Sequence, residues 1–142
     1  MRPKGTGLPA PIHFDTLYAF LHQEIARFRG SEIRWSRGRY IATFDGPSRA
    51  INCAKSIVES LSQRDTHVRA GLHTGECEFV AGELVGAAVQ IAEGVLRTAA
   101  WHEVLVSSTA RDLVAGSGFQ YGEGRQCAVE GISRTWTAFQ VT

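Results

Sequence analysis

Long apolar runs, paired cysteines and an excess of either charge are missing from these 142 residues. No stretch approaches the roughly 20 apolar residues of a membrane span, and residues 1–9 lack the continuous apolar core of a signal peptide. No membrane is therefore expected as a partner, and the cytoplasm is the simplest compartment. Cys53, Cys77 and Cys127 are an odd count without CxxC spacing, each in an apolar-periodic segment, so they read as reduced packing residues. With 15 Lys and Arg against 14 Asp and Glu, the net charge of +1 gives no long-range pull toward phosphate backbones or anionic lipid. Nucleic acid is not expected as a partner, although Arg27, Arg29, Arg34, Arg37 and Arg39 make one locally basic stretch.

What is present is ordinary globular sequence, 44% hydrophobic and 20% charged, long enough for one domain with a single core. Residues 1–13 hold three prolines and two glycines and read as a flexible arm or linker remnant, which leaves 14–142 as the domain. Phe14, Leu17, Tyr18, Leu21, Ile25 and Phe28 recur at helical spacing, and Gly30 is expected to stop that helix after Arg29. Two short strands, 32–35 and 39–44, are joined through Ser36-Arg37-Gly38, where Gly38 suits the positive φ of a tight hairpin. Pro47 suits the first turn of a second helix ending near Gln63, with Ala50, Ala54, Ile57, Val58 and Leu61 as its buried stripe.

Residues 67–73 alternate as a strand, Gly75 turns the chain, 76–80 run on as another strand, and Ala81-Gly82 turns again. A third helix is expected from Val85, Ala88, Val89, Ala92, Val95, Leu96 and Ala99. Residues 103–107 form a short buried strand, Ser108 or Thr109 can cap a brief helix ending at Gly116, and the tail offers strands near 119–122, 126–129 and 134–141. The alternation predicts an α+β, two-layer sandwich of ferredoxin-like type, a fold shared by many unrelated functions.

Four runs narrow that reading: residues 26–30 (ARFRG), 41–51 (IATFDGPSRAI), 68–78 (VRAGLHTGECE) and 103–118 (EVLVSSTARDLVAGSG). In this order they resemble class III adenylate/guanylate (nucleotidyl) cyclase catalytic domains of bacteria, over about residue 15 to the C-terminus. The resemblance implies a ferredoxin-like sandwich of the cyclase type and subunits that pair head to tail with active sites at their interface. It further implies two aspartates holding two divalent ions in one subunit, and base-reading residues with an Asn and an Arg in the other. Metals would activate the ribose hydroxyl and neutralise the phosphoryl group, and the Arg would stabilise charge in the transition state.

The departures from this pattern predict a degenerate member. The family's first strand and first helix, with the first metal aspartate, would lie ahead of residue 1. The second aspartate aligns with Gly38, between Arg37 and Arg39. The family's Asn matches Gln90, its Arg matches Gly94, its adenine-reading Asp matches Glu83, and no lysine occurs in 31–39 to read a purine. No catalytic or metal-binding residue and no cofactor is therefore assigned. Glu83 and Gln90 are either nucleotide-groove residues at a dimer interface or ordinary polar rim residues. His73 and Cys77 do not converge on an extended strand and read as structural rather than metal-binding. Trp35, Trp101 and Trp136 read as core or interface anchors. The expected role is a non-catalytic regulatory, dimerisation or ligand-sensing module of a bacterial signalling protein, forming a homodimer or pairing with an intramolecular partner domain, with a nucleotide as the possible ligand. The alternative is a residual cyclase, forming cAMP or cGMP from ATP or GTP with Mg or Mn in its full-length context, with Gln90 acting for Asn and Asp45 or a neighbouring carboxylate recruited to metal.

Overall fold

The computed structural model describes residues 13–36 and 38–142. The expected arm, apart from His13, and Arg37 lie outside the described residues. The chain divides into two compact units, Met1–Val68 and Arg69–Thr142.

In the first unit, helix α1 (Phe14–Arg27) leads to the antiparallel hairpin β1 (Ser31–Ser36) and β2 (Arg39–Thr43), then to helix α2 (Pro47–Gln63). The end of α1 corrects the sequence reading. The left-handed residue is Arg29, at φ 63°, with its N–H on Ala26 O and the Gly30 N–H on Ile25 O, the paired bonds of a Schellman ending. Gly30 serves packing instead: a Cβ there would meet the Phe44 ring at 2.6 Å. Helix α2 ends the same way, with Asp65 at φ 57° and Thr66 N–H on Leu61 O. Pro47 opens α2 as expected, but its fully buried residues are Ile51, Cys53, Val58 and Leu61, so the stripe is turned toward Ile51 and Cys53. Ser36 pairs with Arg39 and Gly38 takes φ 77°, giving the predicted tight hairpin.

The second unit is built on a four-stranded sheet. Its order is β3 (Ala70–Leu72), β6 (Val104–Ser107), β8 (Ile132–Val141), β7 (Tyr121–Val129), with β3 and β6 parallel and the other pairs antiparallel. Between β3 and β6 run the small hairpin β4 (Glu78–Val80) and β5 (Glu83–Val85) and helix α3 (Ala87–Thr98); α4 (Ser108–Leu113) follows β6. Strand β6 is buried along its whole length. Ile91, Val95 and Ala99 from α3 close on Leu105, Cys127, Val129 and Ala138 of the sheet, with Ile132 and Trp136 packed against them.

Several expectations are revised here. Val85 belongs to β5, not to the third helix, because Ala81 (φ 53°) and Gly82 (φ 82°) form a two-residue turn that folds 83–85 back onto β4. The cap of α4 is Ser107, whose hydroxyl accepts the Ala110 N–H, one residue before the expected position. The three tail strands are two long ones, and the segment 67–73 forms strand only over 70–72. Cys53 and Cys127 are buried, but Cys77 is exposed; burial pushes the Cys53 thiol up to about 12. Trp35 and Trp136 are half-buried, whereas Trp101 is 52% exposed. No helix among the described residues is long and apolar enough to cross a membrane.

Candidate functional site

In the first unit the position matched to a metal aspartate is the turn residue Gly38, which has no side chain and open space where a Cβ would stand. Asp45 is exposed, just ahead of the Gly46 N-cap of α2. The hairpin's organised carboxylate is a different one, Glu32. Its oxygens accept from Tyr18 Oη at 2.7 Å and Tyr40 Oη at 2.8 Å and meet His22 Nδ1 at 2.9 Å. These hydrogen bonds, that of Tyr18 foremost, hold the Glu32 carboxyl below its ordinary value; the same contact raises Tyr18. Trp35 packs edge-on against Phe14, Tyr18 and Tyr40, so Glu32 ties α1 to both strands inside an aromatic surround. Sequence reading missed this group because its donors lie 14, 10 and 8 residues away.

A second carboxylate, the buried Glu24, accepts both Arg27 Nε (3.1 Å) and Nη2 (2.9 Å) and Ser56 Oγ (2.9 Å), joining α1 to α2. Arg27 is the main cause of its lowered pKa. Both clusters are fully occupied by protein donors and read as tertiary clamps rather than ligand groups.

In the second unit, Glu83 opens β5 opposite Val80 and is exposed. Gln90 is exposed on α3, its Nε2 3.6 Å from where a Cβ would stand on Gly131 in the β7–β8 turn. Gly94 lies one turn on, on the same side of the helix, and is buried. Nothing in the helical pattern explains a glycine there; the packing does. A Cβ would stand 2.9 Å from Ala128 O and from Val129 Cγ2, so α3 rests directly on β7 at the point matched to the family's arginine. Arg97 reaches back one turn along α3 to Glu93 and across to Glu130, at 3.9 Å each. Thus Gln90 and Gly94 share a helix face, while Glu83 sits on a separate hairpin.

The donor set does not fit the divalent metals of the cyclase reaction. Gly38 offers no side-chain oxygen, and among the described residues no three His, Cys, Asp or Glu side chains converge to hold an ion. His73 is bonded through Nδ1 to Ser107 Oγ at 2.7 Å, with Trp136 edge-on at 5.3 Å, and Cys77 is four residues on in an exposed segment. Glu103 and Arg125 form a two-armed ion pair at 2.7 and 2.8 Å between the start of β6 and β7, with the Ala100 N–H also on Glu103.

This α+β arrangement is the fold of adenylate and guanylate cyclase catalytic domains. An adenylate/guanylate cyclase/hydrolase from Silicibacter pomeroyi superposes with a TM-score of 0.78 at 22% identity, over 89% of this chain and 82% of that one. An adenylate cyclase from Trypanosoma brucei, described in its monomeric state, gives 0.74 at 16% identity over 89% and 76%. A dimeric guanylyl cyclase domain from Blastocladiella emersonii gives 0.69 at 16% over 89% and 79%. No protein-family model matches the sequence, and no curated protein matches it.

Proposed function

We propose that residues 14–142 act as one cyclase-fold domain that does not cyclise nucleotides and that serves as a regulatory, dimerisation or ligand-sensing module of a bacterial signalling protein in the cytoplasm. The observation that carries this reading is Gly94. The helix position matched to the transition-state arginine has neither a side chain nor room for one, because the Ala128 carbonyl and Val129 occupy the space. Gly38 repeats the loss at the metal position. A reaction made almost wholly of positioning and charge stabilisation does not survive removal of a metal ligand and the arginine together.

Glu83 and Gln90 are the residues assigned to any retained nucleotide contact, since both are exposed. Pairing with a second copy is supported by the apolar surface of the β4–β5 hairpin, where Phe79 is 62% and Val80 53% exposed, and by the dimeric state of the Blastocladiella domain. Reading the chain as a residual cyclase rests on the exposed Gln90 amide and the exposed Asp45 carboxylate. Incubation with ATP or GTP and Mn²⁺, followed by mass-spectrometric detection of cyclic nucleotide, separates the two. No product above a protein-free control is expected; product that scales with protein concentration overturns the proposal.

A further inference from the structure

Residue His73 follows β3 directly, and because Leu72 pairs with Val106 in the parallel β3–β6 ladder, it arrives beside Ser107 at the end of β6. Ser107 is completely buried. Its oxygen accepts the Ala110 N–H at 3.2 Å as the cap of α4 and lies 2.7 Å from His73 Nδ1. A hydroxyl carries one proton, and here its only other described polar neighbour is the imidazole, so the O–H donates to Nδ1. That assigns His73 as the neutral tautomer protonated at Nε2.

We propose that the His73–Ser107 pair is a pH-operated catch that holds the chain's exit from β3, and with it the root of the β4–β5 hairpin, against the end of β6. A proton taken from solvent onto Nδ1 turns this acceptor into a donor. Ser107 Oγ then faces two donors, and its own hydroxyl proton is turned into a fully buried space without its acceptor, an arrangement that costs the bond. The groups facing the imidazole add nothing to offset the new charge. From β6 and α4 there is Ser107, and from β8 there is Trp136, edge-on at 5.3 Å. No carboxylate is among the described contacts of His73.

The relaxed arrangement has the imidazolium swung out to water, which frees the segment leading into the hairpin. Gly75 to Val80 are exposed throughout, and β4 and β5 form a two-stranded sheet apart from the four-stranded one. Burial holds the imidazole below its ordinary value, so the catch opens in the acid range below about pH 6.5 rather than at neutrality. This inference concerns the hinge of the hairpin and stands whether or not the domain binds a nucleotide.

Amide hydrogen exchange on the full chain at pH 7.5 and 5.5, corrected for intrinsic exchange, tests it. The expected result is faster opening confined to 73–86 at the lower pH, by at most about tenfold, the limit for one proton gained by a freed imidazole of ordinary value near 6.5 between these two pH values. His73→Asn, whose amide oxygen can accept from Ser107 but does not titrate in this range, is expected to fold and to lose that pH dependence. NMR titration of the wild-type imidazole needs no variant: the His73 resonance is expected to titrate below the ordinary value for histidine, in step with shifts in the 74–86 amides. Opening that does not change with pH, that persists in His73→Asn, or that does not follow the His73 titration overturns the proposal.

Discussion

Replacing Gly94 with alanine sets two effects of opposite sign against each other at one position. Helix propensity alone favours Gly94→Ala by about 1 kcal/mol in the interior of α3. Against this, the added Cβ would sit 2.9 Å from the Ala128 carbonyl oxygen and 2.9 Å from Val129 Cγ2, with Val129 Cα at 3.4 Å. The first of these is backbone of a strand held by β8, so it cannot yield as a side-chain tip would. Overpacking of this kind costs roughly 1–3 kcal/mol, which cancels or exceeds the propensity gain and leaves a net loss of up to about 2 kcal/mol. For a chain of this size such a loss lowers Tm by as much as about 8 °C. Urea melts followed by circular dichroism read the difference directly. Gly94→Arg is expected to fall further, since it adds a long charged side chain to the same contact, and to gain no cyclase activity. A Gly94→Ala protein about 1 kcal/mol more stable than the parent would mean that β7 does not press on α3 there, and the packing argument would fall.

Two further expectations concern the first unit and the acid range. Arg29→Gly relieves a left-handed residue at φ 63° whose side chain is not needed for the turn, and is expected to gain about 0.5–1 kcal/mol in the same melts; a loss would show that the Arg29 side chain contributes to the fold. Glu24, Glu32 and Glu103 all have carboxyls held below the ordinary value, chiefly by hydrogen bonds from Arg27, Tyr18 and Arg125 respectively. Their contribution is therefore complete above the unfolded value of about 4.3 and is lost as pH falls from there through the lower folded values, so Tm should decline steeply below about pH 4.5. A Tm that is flat from pH 6 to pH 3 contradicts these clamps.

The two long helices were legible because a 3.6-residue apolar period survives in Phe14–Arg27 and Pro47–Gln63, and the β1–β2 turn because glycine at a two-residue loop has one use. In the β4–β5 hairpin the first strand and the Ala81-Gly82 turn were legible, but the second strand was not. Strand β5 is three residues long and mostly exposed, so it carries no alternation, and Val85 falls by chance on the period of α3. Strand β7 looked broken because Gly122 and Gly124 resemble punctuation. Gly124 is instead a place where Thr137 Cγ2 and the Phe139 ring would stand 2.9 and 3.0 Å from a Cβ. The same lesson covers Gly30 and Gly94: composition suggested turns or offered no reason, while packing supplied one. Glu83 and Gln90 were placed only by resemblance, and their exposure is what any surface polar residue would show. The Glu32 and Glu24 clamps depend on partners that only folding brings together.

In the proposed reading, a cyclase fold persists here without side chains at Gly38 and Gly94, the positions matched to a metal aspartate and the arginine. Isothermal titration of the chain with ATP and with GTP, each in the presence and absence of Mn²⁺, tests it most directly. The predicted result is that the divalent ion leaves nucleotide affinity unchanged, whether that affinity is weak or undetectable. Binding that appears or tightens many-fold only with Mn²⁺ would contradict it.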